Sequence, residues 1–271
     1  MYEFASRVEK RWSFSKKELE RLLITALVSA FSITLVKGWA FKEMVAGTDE
    51  VIKWGIFELI RGTSIVHYIS NLVIIFMILF MFLMIHFSVQ KLVALKLGYS
   101  SEYKYWVNGM ILGVVICFFS YGYVPLFFPG ALYYDIIPKL RMSVFRGGVK
   151  HKDLGLIAFA GPLSNIILVG IFAPLYLATE NSFVFSLIIL NLLIAVWSLL
   201  PIPTFEKLRQ FQGGTTGLYI FIASRWIYVF VLASVLGFAA LILLFKIFSY
   251  ILALVIGILV AIIYYSSFEM K

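Results

Sequence analysis

"LVIIFMILFMFLMIHFSVQKLVALKLG", residues 72–98, is an apolar run long enough to cross a bilayer, and near its end polar side chains break in at His86 and Gln90. About 20 apolar residues suffice for a spanning helix. In such a helix His86 and Gln90, at i and i+4, share one face. An ionisable group at membrane depth costs about 2.5–3.5 kcal/mol at the helix centre on insertion scales, so His86 is expected to be paired or to serve a function.

The rest of the chain has the same character. Of 271 residues 62% are hydrophobic and 14% charged, and the mean hydropathy is +0.98, against roughly 45–50% apolar in soluble domains. Apolar runs near 20–37, 69–97, 153–178, 183–203, 226–245 and 247–265 predict an all-α polytopic membrane protein of about six transmembrane helices, one membrane domain over 1–271. The opening segment 1–21 carries too much charge before its first apolar run to be a cleavable leader. The lone Cys117 excludes an internal disulfide. A net charge of +9 reads as basic residues at the membrane edge, with the lipid bilayer as partner and no nucleic acid.

One apolar stretch, "VNGMILGVVICFFSYGYVPLFF" at 107–128, is interrupted by Gly109, Gly113, Ser120, Gly122 and Pro125 and followed by Pro129 and Gly130. That pattern suits a re-entrant hairpin with short strands over 107–135, which is tolerated at membrane depth where protein or water covers the backbone. Charge supports re-entry. Arg7, Lys10, Arg11, Lys16, Lys17 and Arg21 place 1–21 in the cytoplasm, and only re-entry keeps Lys139, Arg141, Arg146, Lys150 and Lys152 on that side. Six crossings then leave both termini cytoplasmic, in the plasma membrane. The segment 38–68 is expected outside, with the amphipathic "TDEVIKWGIFELIRG" at 48–62 lying on the outer leaflet.

Four further stretches bear on chemistry: "PGALYY" at 129–134, "AGPLSN" at 160–165, "WSLLPIPTFEK" at 197–207, and the opening "FSKKELERLLITAL". Taken with "HFSVQKLVALKLG" at 86–98, they resemble, in order, the motifs of the site-2 proteases, intramembrane zinc metalloproteases, in their archaeal form. The resemblance implies a site-2 protease-like fold. In active members two histidines at i and i+4 bind zinc together with an aspartate, and the glutamate after the first histidine activates the bound water. By position His86 keeps the first ligand, Phe87 stands at the general base, and Gln90 stands at the second histidine. Glu206 stands at the aspartate, Lys207 at its glycine and Ser198 at an asparagine.

A catalytic zinc normally takes three protein ligands, whereas His86 and Glu206 make two and Gln90 adds a neutral amide. No cofactor is expected beyond weakly held zinc, and Phe87 takes no proton. The resemblance therefore implies a pseudoprotease without catalytic residues, binding or shielding a client membrane protein or transmembrane peptide. Its groove beside the re-entrant strands would include Gln90, Gly130, Gly161 and Asn165, with Asn165 reaching toward the strand backbone. A His86 to Glu206 hydrogen bond would satisfy both groups without metal. The alternatives are an active metalloprotease with a non-standard site, and a transporter, for which no inverted repeat or midplane ion pair is evident. His67 and His151 read as solvated or interfacial.

The orientation predicts that a cysteine introduced at Ser143, in a Cys117→Ala background, labels only from the cytoplasmic side. Labelling by an impermeant reagent in intact cells would overturn it.

Overall fold

A computed structural model describes residues 2–34, 65–120, 124–137, 150–203, 215–245 and 249–269. The elements in chain order are α1 (Tyr2–Arg11), α2 (Lys16–Thr34), α3 (Ile65–Leu97), β1 (Tyr99–Lys104), α4 (Val107–Phe119), β2 (Ala131–Ile136), α5 (His151–Thr179), α6 (Ser182–Ser198), α7 (Thr216–Ala223), α8 (Arg225–Phe245) and α9 (Ser249–Tyr264). A short π-helical turn, Tyr265–Glu269, follows.

The quoted run becomes α3, whose 33 residues reach about 50 Å at 1.5 Å per residue. Among the described residues two helices, α3 and α5, are long and apolar enough to cross a membrane. Helices α2, α6, α8 and α9 stand where the other four spans were expected, but do not meet that measure. The expected external segment 38–68 lies outside the described residues up to 64, and its last four residues already belong to α3.

Local signals account for the ends of these elements. Ser15 Oγ accepts from Glu18 N at 3.2 Å while Glu18 Oε2 accepts from Ser15 N at 2.8 Å, a reciprocal cap that starts α2. Gly98, with φ +92°, ends α3 in the left-handed region and turns the chain directly into β1.

Strands β1 and β2 form a two-stranded antiparallel ribbon in which Tyr99 faces Ile136 and Lys104 faces Ala131. Because Lys104 and Ala131 pair, the intervening excursion leaves and returns at the same end of the ribbon. Its helix α4 has 13 residues, about 20 Å, and Gly113 lets the return strand pass close by, since a Cβ there would lie 2.7 Å from Leu126 O.

The core lies where α3 packs against α2 and α5, with Leu22, Ala26 and Ala30 of α2, Leu79, Phe82 and Leu83 of α3, and Ile157 and Ala158 of α5 all buried. One ion pair joins this core to the ribbon. Lys91 Nζ lies 2.7 Å from Glu18 Oε1, Tyr103 N of β1 donates to the same oxygen at 2.8 Å, and the Phe14 ring covers Lys91 Nζ at 4.1 Å from its centroid. Arg21 donates to Tyr103 O at 3.0 Å and to Glu102 Oε1 at 2.6 Å, so the outer edge of β1 is held by α2.

Burial alone would raise the Glu18 pKa, but the hydrogen bond from Lys91 and the backbone N–H groups of Ser15 and Tyr103 outweigh it and hold the carboxyl below its ordinary 4.5. A depressed carboxyl contributes stability that is full above its unfolded pKa and is lost as pH falls through the folded one. Lowering the pH below about 4 should therefore destabilise the wild type, and a Glu18→Gln variant should lose most of this dependence. Lys91→Met alone should cost about 3–5 kcal/mol by stranding the carboxylate, and Glu18→Gln with Lys91→Met should recover part of it. Thermal unfolding in detergent checks both; equal destabilisation by the single and double variants would contradict them.

Candidate functional site

Helix α3 presents two faces at the level of the polar break. His86 and Gln90 point together toward α5, and both are fully buried. They meet α5 at Gly161, where a Cβ would overlap Nε2 of each side chain. Glycine is thus the residue that lets the two helices close over an imidazole and an amide.

Asn165, one turn along α5 from Gly161, holds the ring: its Nδ2 lies 3.1 Å from His86 Nδ1. In this orientation Nδ1 accepts and the proton sits on Nε2; with the amide reversed, Nδ1 would donate and Nε2 would carry the lone pair. Either way Nε2 is buried and has no hydrogen-bond partner, as are Gln90 Oε1 and Asn165 Oδ1. Gln90 Nε2 donates to Ala158 O at 3.1 Å. The amide of Asn165 therefore serves the imidazole, where the sequence had suggested the strand backbone.

The second face carries Phe87 and Lys91, again at i and i+4. Phe87 is fully buried, edge-on to the His86 ring at 4.8 Å and 4.5 Å from the Tyr103 ring centroid. Tyr103 is itself fixed, its hydroxyl donating to Pro129 O at 2.7 Å and lying 2.8 Å from Thr25 Oγ1. Burial raises the Tyr103 pKa, so the hydroxyl stays protonated. The position next to His86 is thus filled by a phenyl ring packed edge-on and tilted between its neighbours.

Gly130 belongs to a different place. With φ +81°, it lines a cavity at the Lys104 and Ala131 end of the ribbon, walled by Trp106, Phe128, Tyr133, Trp197, Ser198 and Thr215 among others. Gln90, Gly161 and Asn165 do not line it. Two indole N–H groups, those of Trp106 and Trp197, are buried in the protein without a hydrogen-bond partner. Ser198 Oγ donates back to Ala195 O at 2.9 Å. His151 opens α5 and is exposed.

Glu206 and Lys207 lie outside the described residues, and so does any contact of Glu206 with His86. Among the described residues no group of three or more His, Cys, Asp or Glu side chains gathers in metal-binding range. Among the described residues the donors free around His86 are one ring nitrogen and amide oxygens, short of the three protein ligands a catalytic zinc normally takes.

Lys91 and Glu18 went unremarked as site residues in the sequence. A lysine inside an apolar helix was the available signal, and the Ser15 to Glu18 spacing was another; their meeting across the fold was not readable.

A protein of Methanocaldococcus jannaschii provisionally named as a zinc metalloprotease is 31% identical to this chain over 127 residues, which is 45% of this chain and 60% of that protein. The chain is thus similar over part of its length to a metalloprotease-related protein, and spans less than two thirds of the relative it matches. No family model matches the chain. No solved structure matches it either.

The packing at Gly161 makes a controlled prediction. Gly161→Ala must push α5 off His86 and Gln90 and should cost about 1–3 kcal/mol, as overpacking does. Gly170→Ala on the same helix, where a Cβ meets nothing within 4 Å, should leave stability unchanged or raise it by up to about 1 kcal/mol. Equal effects in a thermal unfolding assay would show that the His86 face is not closely packed.

Proposed function

We propose that this chain is a site-2 protease-like membrane protein without proteolytic activity, which holds an unwound transmembrane segment of a client beside the β1–β2 ribbon. The observation that carries the client reading is the cavity at Gly130. One wall is the end of an antiparallel ribbon with no third strand among the described residues, and the lining includes Trp106 and Trp197, whose buried indole N–H groups lack acceptors. An extended segment offers what these walls lack, backbone carbonyls and an added strand. Helical segments, with their carbonyls already bonded, would have to unwind first.

The loss of proteolysis rests on Phe87. General acid–base assistance is typically worth about 10²–10⁴ in rate, and a phenyl ring locked between His86 and Tyr103 cannot provide it. On this reading the six helices cross the plasma membrane with both termini cytoplasmic, and the 107–135 excursion re-enters from the cytoplasmic side. The same-end return of that excursion and the length of α4 support this arrangement.

The similarity to a protein named as a metalloprotease, together with the unpartnered His86 Nε2, favours one competing reading, an active enzyme with a non-standard metal site. Both are tested in proteoliposomes containing the full chain with a photoreactive phenylalanine analogue at Tyr133. A model transmembrane peptide with a central Gly-Pro break should crosslink intact, and an unbroken Leu-Ala peptide should crosslink far less. Trp106→Phe and Trp197→Phe should each reduce the adduct by about fivefold, the loss of one hydrogen bond of about 1 kcal/mol. Equal labelling of the two peptides would overturn the client reading. Peptide cleavage with one zinc per chain, both lost in His86→Ala, would establish the enzyme instead.

A further inference from the structure

Helix α1 is joined to the rest of the protein through one side. Arg7 donates to Leu95 O at 3.3 Å and passes 3.5 Å from where a Gly98 Cβ would be, which sets α1 beside the end of α3. Four residues link it to α2. Its height is therefore that of the last turn of a membrane-length helix, level with the start of α2 and ahead of the exposed apolar residues Leu23, Ile24 and Leu27 of that helix.

At this height α1 turns an apolar row outward. Phe4, Val8 and Trp12 follow the i, i+4, i+8 spacing of one helical face, and Trp12 N still bonds to Val8 O at 3.0 Å. Phe4 is 41% and Trp12 42% exposed. Ser6 and Lys10 lie on the opposite side. Exposed cations gather at the end of the row: Arg11 lies beside it, Lys10 closes the helix on the opposite side, and Lys16 and Lys17 open the next one. Of the acids nearby, Glu3 lies on α1, Glu9 and Glu20 are exposed, and Glu18 is consumed by Lys91.

We infer that α1 is an interfacial helix that docks on anionic phospholipid headgroups, with Phe4 and Trp12 in the acyl boundary and Arg11, Lys16 and Lys17 on the phosphates. Two features choose this occupant. The apolar row sits at the boundary level where aromatic side chains partition, continuous with the exposed apolar surface of α2. The cations at its end match a negatively charged leaflet, which attracts basic segments close to the surface. The inference rests on the membrane placement proposed above and is independent of the client reading.

The test uses the full chain in a Cys117→Ala background, reconstituted in vesicles of neutral phosphatidylcholine or of phosphatidylcholine with phosphatidylglycerol at about 7:3. Spin labels are placed singly at Phe4→Cys and Ser6→Cys. In the anionic vesicles the label at position 4 should be reached by oxygen and shielded from a water-soluble nickel chelate, while the label at position 6 stays open to the chelate. In neutral vesicles the shielding at position 4 should fall about threefold, and Arg11, Lys16 and Lys17 all changed to Gln should bring the anionic value to the neutral one. A position 4 label equally open to the chelate in both lipids would overturn the inference, as would equal shielding in both. Dipolar broadening between position 4 labels would overturn it too, because it would assign the apolar row to a second copy of the chain. Failure of the protein to float with vesicles after alkaline extraction would sink the membrane placement itself; flotation with an aqueous position 4 label would sink this inference alone.

Discussion

The contact between Glu18 and Lys91 governs the geometry of everything near it. Removing two charges from water costs several kcal/mol per ion, recovered only where hydrogen bonds satisfy both partners. Here the carboxylate takes Lys91 Nζ on one oxygen together with Tyr103 N, and Ser15 N on the other, while the ammonium has the Phe14 ring beneath it. Three elements, α2, α3 and β1, must therefore be in register for the pair to be tolerated at all. Such a pair contributes more to specifying one arrangement than to net stability.

Fixing Lys91 also fixes the rotation of α3. Successive residues of a helix are turned by 100°, so with Lys91 and Phe87 facing α2 and β1, Gln90 and His86 must face α5. That face is closed by Gly161 and Asn165, with buried polar atoms on His86, Gln90 and Asn165 left without protein partners. Unmade hydrogen bonds of this kind cost about 1–3 kcal/mol each. The neighbouring position is filled by Phe87, which offers no proton acceptor beside them. A glutamate at 87 would not by itself supply one, since it would stand against Tyr103 and one turn from Lys91.

How much of this was legible in the sequence differs from residue to residue. The i, i+4 pairing of His86 with Gln90 and the close approach at Gly161 follow from helical spacing and from the absence of a Cβ, and the structure places all three together. The cap at Ser15 and Glu18 is a local pattern and could be read. The ion pair could not, because Glu18 and Lys91 are 73 positions apart and only the packing of α2 on α3 brings them together. Strand β1, "YSSEYK", has no apolar alternation; it is a strand because β2 pairs with it and α2 holds its far edge. Asn165 was drawn to His86 rather than to the ribbon by an interhelical distance that no spacing rule supplies, and Glu206 lies outside the described residues.

The two faces of α3 make different chemical demands, which is why the proposed loss of hydrolysis is compatible with the proposed binding surface. On the proposed reading, hydrolysis would need a water, a base and a metal at the His86 level, where this chain carries Phe87 and Gln90. Binding an extended segment needs a strand edge and unsatisfied donors, which come from the ribbon backbone and from Trp106 and Trp197 at the far end of β1. Tyr103 connects the two regions, packing its ring at a tilt against Phe87 and holding Pro129 O with its hydroxyl. The phenyl ring at 87 therefore supports the ribbon that lines the cavity. A carboxylate there would have to be solvated or paired, and would exchange that hydrocarbon contact for a charge beside the tyrosine ring.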